Sequence, residues 1–350
     1  MKTSFPRLHA AVSVFIAVSA SIVHAATVDI IATDLANPRG IAIGPAGRIL
    51  VAEAGAGGVS VSMTGHVTEV FHGQVRRLVT LPSIDARPGE ASGPTSMATA
   101  GGMGEMFVTM GAGSGTSFGL LLRANPARTA LVANLAAYET ANNPDGVVPP
   151  DSNPYGVATV GDGSVLVTDA AANDLLQVAH DGTIETVAIF PPASNVLFGR
   201  IGGPTVQAVP TSVTIGPDGA WYVGELRGFP FANPSHIWRI EPNSRNVHCA
   251  IGATSGPCID WATGLRHVVS IAFGPDGNLF VSQFGPGPGI GLPGSSTLGS
   301  VVRVDSITRA VTVLYTGLEE PGGIAIDNDG TIYISNKSTS VAGELLRIVP

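Results

Sequence analysis

Lysine is almost missing from this sequence. Beyond Lys2 the chain holds only Lys337, which leaves Schiff-base chemistry with almost no candidate. Charge of either sign is sparse, at 13% of residues, and the balance is acidic: 18 Lys and Arg face 26 Asp and Glu, a net −8. Two of the basic residues, Lys2 and Arg7, belong to the leader described next, so the remainder is more acidic still. That balance argues against nucleic acid and anionic membrane surfaces as partners. Long apolar runs are also scarce. The one present, AAVSVFIAVSASIV (10–23), follows Lys2 and Arg7 and precedes VHAA. It is short and poor in Leu for a membrane span, and it has the small residues of a signal-peptidase site. Residues 1–25 are therefore expected to be a cleaved signal peptide, which predicts a secreted or periplasmic protein with no membrane span. Helical periodicity is nearly absent, and LAAYETANN (135–143) is the single candidate helix. There is no H-E-x-x-H and no zinc-type cysteine spacing. The only cysteines, Cys249 and Cys258, form an even pair in an exported chain, and a disulfide closing a small loop is expected.

What is abundant is punctuation. The chain has 45 Gly and 26 Pro, yet 44% of it is apolar, the signature of a turn-dense all-β protein with a true core. One short pattern recurs: a small or polar residue, a β-branched residue, a small residue and an apolar one, then a tight turn and a second apolar run. It reads GIAIGPAGRILVAE, GVATVGDGSVLVTD, SVTIGPDGAWYVGE, SIAFGPDGNLFVSQ and GIAIDNDGTIYISN, with a degenerate copy at SMATAGGMGEMFVTM (96–110). Asp-Gly between alternating runs is a strong hairpin signal. The turn glycines, at 47, 104, 163, 219, 277 and 330, are 53 to 59 residues apart, which leaves room for a third and fourth strand after each hairpin. Six repeats of four antiparallel strands predict a six-bladed β-propeller occupying 26–350 as one domain. The last copy ends one strand short, at GELLRIVP, while TVDIIATDL (27–35) stands before the first copy as a fourth strand without its first three. The N-terminal strand is therefore expected to close the last blade, removing an exposed edge.

The stretches DSNPYGVATVGDGSVLVTDAAANDLLQVAHDGTIETVAIFP (151–191), DLANPRGIAIGPAGRILVAEAGAGG, LAAYETANNPDG and VPTSVTIGPDGAWYVGELRGFPF resemble the ScyD/ScyE family of exported, NHL-like propellers, across essentially the whole chain after the leader. The resemblance implies the fold and export, and carries no catalytic residue. A more distant similarity is to the gluconolactonase and regucalcin propellers, which hold a divalent metal in their channel. The positions matching their ligands are here Arg39, Thr95, Tyr155, Thr211, Val269 and Gly322, none a good oxygen donor.

Other motif matches are better explained by the repeat. GTSFG (115–119) and GIGLPG (289–294) are glycine-rich loop sequences without the strand-to-helix context their chemistry needs. DNDG (327–330) has Ser338 where a calcium loop requires a bidentate Glu. Arg123, Arg239, Arg303 and Arg347 share one third-strand position and are expected to pair locally.

The position that ends each second strand carries Glu53, Met110, Asp169, Glu225, Gln283 and Asn336. Five oxygen-bearing side chains from five blades are expected to face one ligand at the channel mouth. If that ligand is a cation it would be Ca2+ or Mg2+, held by Glu53, Asp169 and Glu225. The loops expected on the same face (81–94, 142–155, 225–236, 250–267 and 283–300) carry Arg227, Phe229, Trp261 and Arg266, residue types common on recognition surfaces. No acid–base pair or nucleophile is recognisable. The sequence therefore predicts a monomeric binding or accessory protein for a small molecule, glycan or protein partner. The alternative reading is a metal-dependent lactonase or hydrolase working in the channel.

Overall fold

In the computed structural model, which describes residues 26–100, 104–285 and 298–350, the six repeat glycines all take the left-handed backbone a tight hairpin demands. Their φ values run from 73° to 88°, a region that costs any residue with a Cβ. Each hairpin forms the inner two strands of an antiparallel sheet. Six such sheets stand in a ring: blades one (38–87), two (94–134), three (154–189), four (210–265), five (268–319) and six (324–349 with 27–35). Each inner strand touches the next, and that of blade six touches that of blade one. Residues 1–25, expected to be a signal peptide, and the GIGLPG motif lie outside the described residues.

Small residues at the axis are a steric requirement. A Cβ on Gly40 would stand 2.8 Å from Ser96 Cα of the next blade, and one on Gly323 2.7 Å from Gly40 Cα. Hydroxyls then lace neighbouring blades near the axis: Thr95 Oγ1 donates to Pro154 O (2.8 Å), Thr211 Oγ1 to Val268 O (2.9 Å) and Ser335 Oγ to Arg39 O (2.7 Å). The apolar faces pack between blades, as where Leu166 and Leu175 of blade three meet Trp221 and Trp238 of blade four.

Closure follows the sequence expectation. Thr27–Leu35 pairs antiparallel with Gly343–Val349, from Thr27 opposite Val349 to Leu35 opposite Gly343, and buries Leu35. The disulfide is also present, with Cys249 and Cys258 joined and their Cα atoms 5.4 Å apart. Its surroundings differ from the expectation. Residues 250–267 are not one loop on the strand-two face. Cys258–Leu265 is the outer strand of blade four, and the bridged turn joins strands three and four at the opposite end. Val247–His248, just before the bridge, adds a parallel strand to the edge of blade three. The third-strand arginines pair locally, Arg239 with Asp218 (2.8 Å) and Arg303 with Asp276 (3.0 Å), both carboxylates from the hairpin turns.

Candidate functional site

Inner strands begin where second strands end, as with Pro38 opposite Glu53 and Pro154 opposite Asp169. That face of the ring therefore receives the strand 2–3 loops and the connections between blades. The channel opens there into a cavity of about 70 Å³, lined by inner-strand residues of all six blades, among them Arg39, Ser96, Tyr155, Thr211, Ser270 and Gly323.

None of the five predicted strand-end residues lines that cavity. Glu53 accepts from Ala36 N (2.6 Å) and from Thr68 Oγ1. Asp169 accepts from Ser152 Oγ (2.5 Å) and from the main-chain N–H groups of Asn153, Ala171 and Ala172. Gln283 bonds Ser300 Oγ, and Asn336 accepts from Glu319 N and donates to Glu344. Each spends its polar atoms on adjoining strands and connections instead of the axis, as polar side chains at strand ends do. The expected axial ring of Glu53, Asp169, Glu225, Gln283 and Asn336 around a cation is thus corrected. Among the described residues no three His, Cys, Asp or Glu side chains form a metal-holding group.

Glu225 and Arg227 form the most deeply buried ion pair, each fully enclosed, with Nε 2.7 Å from Oε1. The contact is an ion pair without a well-aligned hydrogen bond from Nε to Oε1. Trp238 Nε1 donates to Glu225 Oε2 (2.9 Å), Arg227 Nη1 donates to Pro191 O (3.0 Å), and His236, held by Asp260 (2.8 Å), stacks on Trp238. Burial pushes the Glu225 carboxyl up to about 7, against the pull of Arg227, His236 and Trp238. Arg227 is therefore no exposed recognition residue, because its guanidinium is drawn in by this carboxylate. Trp261 is likewise buried, edge-on to Tyr222 (5.1 Å) and under Arg309 (4.1 Å). Phe229 and Arg266 do stay exposed. Arg266 Nη1 donates to Ala232 O (3.2 Å) and so helps fasten the loop that carries Phe229.

Beside Phe229 stands a second loop the sequence reading did not single out. Residues 193–206 form a small hairpin presenting Val196 and Phe198, each 62% exposed. Asn233 clamps the two loops, donating to Ser194 O (2.7 Å) and accepting from Val196 N (3.3 Å). The result is an apolar platform over blades three and four.

Between blades two and three the same face holds the larger cavity, about 170 Å³, lined by Gly113, Phe118, Glu139, Thr140, Asp151 and Ser152 among others. The segment GTSFG borders it and leads into a strand, Leu120–Asn125, as a propeller loop should. Glu139, on the short helix Leu135–Asn142, is 3% exposed and neither oxygen has a partner. Burial, with the charges of Asp145, Asp169 and Asp151, raises its carboxyl to about 7. The sequence reading missed this cluster. Its one legible sign was an acid, Asp174, opposite Asp169 on the third strand of blade three, where blade two has Leu120 opposite Met110.

No family model matches the chain, and no curated protein does. Solved structures match in fold. A putative oxidoreductase (glucose dehydrogenase) from Thermus thermophilus aligns with a TM-score of 0.60 at 15% identity, covering 93% of this chain and 100% of that one. The aldose sugar dehydrogenase of Escherichia coli gives 0.55 at 13%, over 93% and 99%. Virginiamycin B lyase from Staphylococcus aureus gives 0.51 at 15%, over the same shares. At such identities the likeness establishes the six-bladed propeller class and nothing finer.

Proposed function

We propose that this chain is an exported propeller of the ScyD/ScyE kind that binds a small molecule, glycan or partner protein through its strand-two face. The carrying observation is the platform of Phe198 (62% exposed) and Phe229 (53% exposed), set on two loops that Asn233 clamps together. Rigidly mounted exposed aromatics are costly on a surface with no use for them, and suit stacking against a sugar ring or an apolar partner surface. A lactonase or hydrolase acting in the channel finds less support. Of the residues lining the channel, Arg39 donates through Nη2 to Ala91 O (3.2 Å), and Thr95 and Thr211 already spend their hydroxyls between blades.

The test is binding of the leaderless protein to an array of oligosaccharides and small metabolites, repeated with Phe198→Ala/Phe229→Ala. A ligand bound by the parent and weakened about tenfold or more in a variant of unchanged melting temperature supports the reading, since an aromatic stack is worth about 1 kcal/mol or more. Equal binding by both proteins, or divalent-dependent hydrolysis of a sugar lactone by both, overturns it.

A further inference from the structure

Five buried side-chain oxygens on one side of the ring have no hydrogen-bond partner: both of Glu139, both of Asp174 and Oδ1 of Asn143. Buried carboxylates without donors are rare, because losing water without replacement costs several kcal/mol each. These five are joined by the chain around them. Asn143 caps the helix that carries Glu139, its N–H donating to Glu139 O (2.8 Å). Asp145, two residues on, accepts from Nδ2 of Asn173 (2.7 Å), the neighbour of Asp174. Asp174 in turn sits directly across from Asp169, which holds Ser152 of the cavity wall. Asp174 is completely buried, and its carboxyl is pushed far up by burial and by the charges of Asp169, Glu139 and Asp145.

We propose that Glu139, Asn143 and Asp174 form a calcium site that fastens the 143–153 connection between blades two and three. The donors are all oxygen, which selects a hard cation. Two carboxylates and one amide make a mixed set, in keeping with the absence of any three-acid group among the described residues. Calcium fits better than magnesium. The donor atoms are shut off from solvent, whereas magnesium usually retains several waters. The cation replaces the missing donors, cancels the repulsion among the acids, and ties the helix end to the third strand of blade three. This site lies at the rim between two blades and owes nothing to the channel or to the aromatic platform.

The experiment is calorimetric titration of calcium chloride into EDTA-treated leaderless protein, with magnesium chloride as competitor and Asp174→Asn and Glu139→Gln as variants. One calcium per chain is expected, with release of protons, because ligands that hold protons near neutrality must give them up. Each variant should weaken binding at least about tenfold, as much as loss of a merely supporting group does. No calcium binding by the parent protein, or undiminished binding by folded variants, overturns the proposal. If the variants do not fold, proteolysis of the parent decides: calcium must protect the 143–153 segment, and cleavage there at equal rates with and without it overturns the site.

Discussion

Replacing Arg227 by Met removes the guanidinium paired with a fully buried carboxylate. Glu225 and Arg227 are both completely enclosed, and the groups facing Glu225 are Arg227, His236, Asp260 and Trp238. In the parent protein Glu225 titrates at about 7 instead of the usual 4.5. Between those values the folded state binds more protons than the unfolded one. The group's contribution is therefore complete below pH 4.5 and lost as pH rises through about 7, some 3 kcal/mol in all. Without Arg227 the folded value rises further. At pH 8 the variant takes up the proton that the parent has shed, which adds about 1.4 kcal/mol to the loss found at lower pH. At pH 5 Glu225 is neutral, and the loss reduces to the bond to Pro191 O and the packing of the stem, about 1–2 kcal/mol. For a domain of this size that is a fall of about 4–5 °C at pH 8 and about 2–3 °C at pH 5. Adding Glu225→Gln should recover the additional pH 8 loss and flatten the pH dependence. Thermal and urea melts at both pH values check this. An equal loss at pH 5 and pH 8, or a double variant no better than the single one, refutes the reasoning.

Three further outcomes are expected. A chain beginning at Asn37 lacks the outer strand of blade six and should melt well below the full leaderless protein; Leu35→Ala alone, at a site 2% exposed, should cost about 2–5 kcal/mol in urea unfolding. Equal melting of the shortened and full chains would mean that the ring does not depend on this strand. Alkylation of the unreduced exported protein should label neither Cys249 nor Cys258 and both after reduction, by intact mass. Breaking so short a loop's bridge with Cys249→Ser/Cys258→Ser should cost about 2–3 kcal/mol, and two labelled thiols before reduction would end the claim. Sequencing the N-terminus of the exported protein should find cleavage near residue 25, and a retained leader would contradict export.

The number of blades, the strand count and the closing strand were legible in the sequence because they are local and periodic. A Gly at positive φ must be written at every hairpin, apolar residues must alternate, and a strand missing at one end must be supplied at the other. The disulfide was legible from the count of cysteines. Which way a side chain at a repeat position faces was not. Glu53, Asp169, Glu225, Gln283 and Asn336 share a place in the repeat, yet different neighbouring loops and strands engage the polar atoms of each. Arg227 reads as a surface cation until tertiary packing folds it inward onto Glu225, and Trp261 reads as a loop aromatic until Cys258–Leu265 becomes an outer strand. The unpartnered oxygens of Glu139, Asn143 and Asp174 come from the link between blades two and three and from the third strand of blade three. No spacing shows that carboxylates 35 residues apart both lose their water; only the packing of the blades decides it, because burial is a property of what the other blades cover and not of the segment itself.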